Sequence, residues 1–372
     1  MQPESISMTK KVAIVVGTRP NFIKVTQFER VLNSYGDRFE MKLIHTGQHY
    51  DKNMSEIFFE QFGLREPDIY LDVKGMSPAA QVGEIIKRLS ELFEEWQPDI
   101  VIVPGDVNST LAAAIAANKT NTRLAHLESG LRSFDRGMPE EINRILTDQI
   151  TDEYFVTEQS GIDHLTNEHA PGNTHFVGNT MIDTLVAFDD HIMRSDVMQT
   201  YDLEEGGFVL MTMHRPANVD TKENLLKLLQ MLNYATERYK IVFPIHPRTR
   251  KSLENHGLMG EVEKNERIML TPPLDYLSFQ HLTAKCKFVL TDSGGIQEET
   301  TFRRVPCLTL RPNTERPSTI DLGTNTLVPF EPEIVGEYID AISDGTYKTG
   351  EVPPLWDGKA TERIVQILDE IL

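Results

Sequence analysis

Carboxylates and cations in this chain fall where a strand-like run has just ended, and that placement is the first chemical signal. KVAIVV runs into Gly17-Thr18-Arg19-Pro20, with Lys24 shortly after. A glycine turn, a proline suited to the first turn of a helix and two cations can seat a phosphate. The stretch is not GxGxxG, so a dinucleotide is not indicated. DIVIV is followed by Pro104-Gly105-Asp106, and RLAHL by Glu128-Ser129-Gly130-Leu131-Arg132; a loop, SFDRGM, then leads to Pro139-Glu140-Glu141. Taken singly, each carboxylate has an ordinary explanation. An Asp after a strand caps a helix, and glutamates in a first turn stabilise the helix dipole by ~0.3–1 kcal/mol each. Their shared place favours chemistry instead: Asp106, Glu128 and Glu140 all follow strands of one half of the chain, and Arg19 and Lys24 are supplied to the same edge.

The other half repeats the pattern with different residue types. FVLMTM ends in His214-Arg215-Pro216 and KIVFPI in His246-Pro247-Arg248. A histidine there serves either as a hydrogen-bonding residue of the fold or as a ligand or acid–base group; both stay open for His246, while Arg215 beside His214 favours the second. KFVLTD runs into Ser293-Gly294-Gly295, which opens a helix carrying Glu298 and Glu299. Two glycines let backbone N–H groups approach phosphate oxygens, and the Ser293 hydroxyl adds a donor. A carboxylate one turn on, Glu298 or Glu299, is placed to accept from ribose hydroxyls, so a nucleoside diphosphate fits better than bare phosphate. Arg316, in Thr314-Glu315-Arg316-Pro317, adds a cation, and Phe279 offers a ring on which a base could stack. The formal net charge of −19 repels polyanions and argues against nucleic acid as a partner. A small anion therefore needs such local cations.

Behind these residues the sequence predicts an α/β protein. Short apolar runs bounded by Gly, Pro or Asp alternate with helical patterns, as in parallel sheets covered on both faces. The chain's 372 residues exceed one ordinary core. Two Rossmann-like, doubly wound domains are expected, at 1–178 and 179–356, with a ligand cleft between them at the carboxyl ends of the strands. Ser77 and Pro78 predict the start of a helix whose apolar face is Val82, Ile85, Ile86, Leu89, Leu92 and Phe93. Cys286 and Cys307 lack metal-site or disulfide spacing and are expected in the core. MQPESISMTKK has no apolar segment of a secretory leader, and no later run is long enough to span a membrane, so a cytoplasmic protein without a membrane partner is expected.

Taken together, GTRPNFIK, TGQHYD, PGDVNSTLAAA, HLESGLRS, MPEEINR, GNTMIDTL, MHRPANVD, LTDSGGIQEE and TERP resemble the non-hydrolysing UDP-N-acetylglucosamine 2-epimerases, in order and over nearly the whole chain. The resemblance implies a GT-B-like fold, with a C-terminal helix (357–372) that returns to the first domain. Ile364, Ile367, Leu368 and Leu372 would form that helix's apolar face. It implies UDP contacts at Arg19, His214, Ser293, Gly294, Gly295, Glu299 and Arg316, with Phe279 near the uracil, and Arg132, Arg215 and His246 are further candidates for substrate binding. Catalytic roles would fall to Asp106, Glu128, Glu140, His214 and Lys24. The reaction implied is reversible inversion at C2 of UDP-N-acetylglucosamine, through loss of UDP to a glycal and its re-addition, in a homodimer that uses no metal or other cofactor and supplies cell-surface polysaccharide synthesis. Asn21 stands where the family often has Glu, and Pro216-Ala217 interrupts its HRREN-type motif. Gln48 and His49 match a motif that in bacterial relatives helps bind an activating UDP-sugar, but Tyr50-Asp51 follows them here. Some relatives with RPNF and GQHYD act on other UDP-sugars, including diacetamido-glucuronates. A hydrolysing epimerase and a glycosyltransferase of the same architecture are the further alternatives.

Overall fold

The computed structural model describes residues 9–47 and 62–372, and Gln48 and His49 lie outside them. The chain divides into two compact units, one of residues 1–187 with 354–372 and the other of residues 188–353.

In the first unit the strands are β1 (Lys10–Val16), β2 (Phe39–His45), β3 (Ile69–Tyr70), β4 (Ile100–Pro104), β5 (Arg123–Leu127), β6 (Glu153–Val156) and β7 (Asn173–Phe176). They form a parallel sheet in the order β3-β2-β1-β4-β5-β6-β7. β1 and β4 are central and nearly all apolar because helices cover both faces. On one face Ala13, Val15, Val101 and Val103 pack against Ile85, Leu89 and Phe93 of the helix Pro78–Trp96. That spacing of four residues is the stripe the sequence predicts, with Val82, Ile86 and Leu92 half-buried on its flanks. Gln97, left-handed at φ 53°, ends the helix.

The C-terminal helix Ala360–Ile371 belongs to this unit. Asp183 accepts hydrogen bonds from the amides of Ala360 (3.0 Å) and Thr361 (2.6 Å) and holds its first turn. Ile364 and Leu368 are buried with Val365, whereas Ile367 and Leu372 are half-buried, so the buried stripe is rotated from the expected one. Trp356, just upstream, is buried and donates to the carbonyl of Thr157 at 2.9 Å.

In the second unit β8 (Phe208–Thr212), β9 (Lys240–Pro244), β10 (Ile268–Thr271), β11 (Phe288–Thr291), β12 (Cys307–Thr309) and β13 (Asn325–Leu327) form a parallel sheet ordered β10-β9-β8-β11-β12-β13. Alternation along β8 sends Val209 and Met211 into one core and Phe208 and Leu210 into the other. Cys286 and Cys307 are free thiols of the second core.

Both sheets reverse strand order once, between β1 and β4 and between β8 and β11. In doubly wound sheets the crevice beyond the carboxyl ends at such a reversal is where ligands bind. Gly17 and Gly105 follow the first pair, and His214 and Asp292 follow the second within two residues of the strand ends.

Candidate active site

In the first unit the turn after β1 is tied to the turn after β4. Asn21 Oδ1 accepts from the amides of Gly17 (3.1 Å) and Thr18 (3.2 Å), while its Nδ2 donates to the carbonyl of Pro104 (3.1 Å). A glutamate here could accept but could not donate that last bond, which accounts physically for Asn at this position. The helix that opens at Arg19 is only Arg19–Ile23, and it leads directly to buried Lys24.

Lys24 Nζ lies 2.7 Å from Glu128 Oε2, and both side chains are almost wholly buried. Gly105 adopts φ +68°, and a Cβ there would sit 2.9 Å from Lys24 Nζ, so only glycine suits both the backbone and the cation. Asp106, the next residue, pairs with Arg144, and its carbonyl accepts from Asn143 Nδ2 at 2.9 Å. Lys24, Glu128 and Asp106 thus meet at one turn. Glu128 itself holds φ +67°. Such left-handed backbone at a non-glycine residue costs of order 1–3 kcal/mol and collects at functional sites.

The consecutive glutamates of the helix Pro139–Asp148 diverge. Glu141 is buried and accepts from the amides of Ser133 and Phe134 (both 2.9 Å) and from Arg144 Nη2 (2.9 Å). Burial would raise its pKa, but the Ser133 amide, Arg144 and the Phe134 amide outweigh that and hold the carboxyl below the ordinary Glu value. Glu140 is half-buried and makes no ion pair or side-chain hydrogen bond among the described residues.

Arg132, expected to bind substrate, is 2% exposed, with Nη1 2.7 Å from Asp148 and Nε and Nη2 donating to Glu168 at 2.9 and 2.7 Å. Its Nη1 also donates to the carbonyl of Leu131. Asp148 in turn lies 2.7 Å from His126 Nδ1, whose Nε2 meets the carbonyl of Gly105 at 2.7 Å. Arg132 therefore braces the Gly105-Asp106 turn through protein carboxylates.

In the second unit Asp292, fully buried just past β11, organises the turn after β8. It accepts from the amides of His214 (3.0 Å) and Arg215 (2.7 Å) and from Asn218 Nδ2 (3.2 Å), and lies 2.8 Å from His214 Nδ1. A carboxylate acceptor assigns the His214 proton to Nδ1 and leaves Nε2 outward. Burial would push the Asp292 carboxyl up, but the hydrogen bond and charge of His214 and the two amides outweigh it and hold it below the ordinary Asp value. His246 is exposed, 5.6 Å from the His214 ring, and caps the helix Pro247–Asn255 by accepting from the Arg248 amide at 3.1 Å.

The expected anion seat at Ser293-Gly294-Gly295 is partly as anticipated. The Ser293 amide is already donated to Thr291 Oγ1 at 3.0 Å. The amides of Gly294, Gly295 and Ile296 find no acceptor among the described residues, and they open the helix Ile296–Arg303. The glycines are not at positive φ; space is what Gly294 supplies. A Cβ there would meet Glu315 Oε1 at 3.0 Å, Arg311 Nη1 at 3.3 Å and Arg316 Nη1 at 3.5 Å. Arg316 is flanked by Glu298 (Nε to Oε2, 2.7 Å) and Glu315. Arg215 donates to the carbonyl of Asp292 at 2.9 Å. Glu299 is buried on the same helix, and Phe279 is half-buried against the core around Phe208 and Leu282.

Asp292, Arg144 and Arg311 are the residues that sequence reasoning missed. Arg144 belongs to MPEEINR, and its spacing from Glu141 was a usable signal. For Arg311 there was none beyond its place near TERP.

Comparison with known proteins gives these sites a context. A family model described as UDP-N-acetylglucosamine 2-epimerase matches residues 33–369. The UDP-N-acetylglucosamine 2-epimerase of Methanocaldococcus jannaschii is 38% identical over 96% of this chain and 98% of its own. The UDP-2,3-diacetamido-2,3-dideoxy-D-glucuronate 2-epimerase of Pseudomonas aeruginosa is also 38% identical, over 88% of this chain and 90% of its own. The crystal structure of the M. jannaschii enzyme in complex with UDP-GlcNAc and UDP superposes with a TM-score of 0.87 at 36% identity, covering 97% of this chain and 99% of that one.

Proposed function

We propose a reaction for these residues on the premise that the chain belongs to the UDP-N-acetylglucosamine 2-epimerase family: reversible inversion at C2 of UDP-N-acetylglucosamine, giving UDP-N-acetylmannosamine. C2 carries no acidifying carbonyl, so direct proton removal is slow. In the route proposed, a base takes the C2 proton, the C1–O bond breaks, and UDP leaves as the C1=C2 glycal forms. A proton then returns to C2 on the opposite face and a UDP oxygen attacks C1, restoring every atom.

The observation that carries this reading is the anion seat of the second unit. Three amides with no acceptor among the described residues open a helix beside Arg316 and next to His214. They suit the diphosphate whose charge grows as the C1–O bond breaks. Ser293, Arg215 and Arg19 add donors, His246 lies beside His214, Glu299 takes the ribose hydroxyls and Phe279 the base. Asp106, Glu128 and Glu140 share the proton work on the sugar, with Lys24 charge-balancing Glu128. His214, its proton held on Nδ1 by Asp292, faces the leaving group. Arg132, beside Asp148 and Glu168, is a further candidate substrate contact. The family resemblance also supports a homodimer serving polysaccharide precursor synthesis, and sedimentation equilibrium tests the dimer.

Incubation with UDP-N-acetylglucosamine in deuterated water, followed by NMR, should show deuterium at C2 together with the manno epimer. Neither appearing would eliminate that substrate. The equal identity to the Pseudomonas enzyme favours a second reading, in which the sugar is a diacetamido-glucuronate. Exchange with that UDP-sugar alone would select it.

A further inference from the structure

Behind the Gly294 turn lies a buried arginine that the proposed reaction does not use. Arg311 is 3% exposed, yet only one of its guanidinium nitrogens is satisfied, Nη2 donating to Glu315 Oε2 at 3.0 Å. Its Nε and Nη1 find no acceptor among the described residues. Nη1 points at the turn, 3.3 Å from where a Gly294 Cβ would stand. Buried donors without acceptors are costly and rare, so something offsets them.

Charge pairing supplies the reason. Arg316 sits between two carboxylates, Glu315 and Glu298. Two carboxylates thus press on one cation beside the turn whose amides would receive an anion. Arg311, paired with the other oxygen of Glu315, completes a row Arg311–Glu315–Arg316–Glu298 in which Glu315 is shared between two cations instead of resting on Arg316 alone. The guanidinium remains charged at any working pH, and low local dielectric makes one uncompensated charge there weigh heavily.

We infer that Arg311 is a positioning residue for a pyrophosphate group at the Ser293–Gly295 turn: without touching the ligand, it neutralises Glu315 and so keeps the charge of Arg316 available. This rests on the nucleoside diphosphate reading of that turn. It predicts that Arg311 matters to the phosphates and is indifferent to the nucleoside.

The test is calorimetric titration of the full chain with UDP, uridine and inorganic pyrophosphate. Arg311→Met should weaken UDP and pyrophosphate by about tenfold or more, the scale of one buried charge interaction, while uridine changes less than about twofold. Glu315→Gln, which removes the negative charge that Arg311 balances, should leave uridine unchanged and tighten UDP by about threefold or more. Thermal melting identifies a variant that has lost its fold, and Glu315→Gln remains decisive if Arg311→Met does so. The inference is overturned if Arg311→Met binds UDP as the parent does, if it loses UDP and uridine by equal factors, or if Glu315→Gln weakens UDP. Parent protein that binds neither UDP nor pyrophosphate would overturn the diphosphate reading as well.

Discussion

Asp106 and Glu128 each lie against a cation of their own unit, Arg144 and Lys24. Those pairings fix the position of both carboxylates. The proton-transfer role proposed for them makes a prediction at the residue scale: Asp106→Asn or Glu128→Gln should abolish turnover while UDP affinity stays within about threefold, since general acid–base groups contribute some 10²–10⁴ in rate and little to ground-state binding. Comparable loss of UDP binding would mean these acids hold ligand. Asp292→Asn should lower kcat by about 10- to 100-fold, because an amide offers one acceptor to a cluster of donors and no longer holds the His214 proton on Nδ1. Steady-state kinetics would check this, and an unchanged kcat would remove His214 orientation from the mechanism. Arg132 is a caution at the same scale. Its type and place after β5 match a ligand-binding arginine, yet folding also brings Asp148 and Glu168 against it, partners that the sequence did not indicate.

At the scale of elements, the loop 133–138 is held to the helix Pro139–Asp148 by Glu141. Its folded pKa is lowered, so the stabilisation it brings is present above the unfolded glutamate value near 4.3 and is lost as pH falls through the folded value. Glu141→Gln should consequently melt well below the parent at pH 7, and the gap should narrow below about pH 4. A gap independent of pH would show that the carboxylate charge is not what matters. The runs KVAIVV, DIVIV, FVLMTM and KFVLT were readable as strands because central parallel strands are apolar on both faces. Asn173–Phe176 was not, since an edge strand half in solvent tolerates Asn, Thr and His, and Cys307–Thr309 and Asn325–Leu327 are too short to display a period. The turns following the strands were legible for the same reason the strands were: Gly and Pro punctuate them.

For the whole molecule, the C-terminal helix completes the first unit instead of trailing from the second. Leu368 is fully buried in it. Leu368→Ala should cost about 2–5 kcal/mol, read as a lower melting temperature for the first unit, with UDP binding by the second unit retained when measured below that transition. Undiminished stability would mean the helix adds little to that core. The net charge of −19 also bears on the molecule as a whole. Any anion must be met by local donors, and the buried alternation of Arg311, Glu315, Arg316 and Glu298 is how one such place is prepared.

The sequence by itself determined the fold class, the central strands and which turns carry chemistry, because periodicity, glycine and proline act over a few residues. Only the tertiary structure decided how each charged side chain is spent. It paired Arg132 with Asp148 and Glu168 and Glu141 with Arg144, set Asp292 behind His214 and placed Arg311 behind Gly294. The physical reason is that the availability of a buried charge depends on its partners, and those partners are chosen by contacts between residues far apart in the chain.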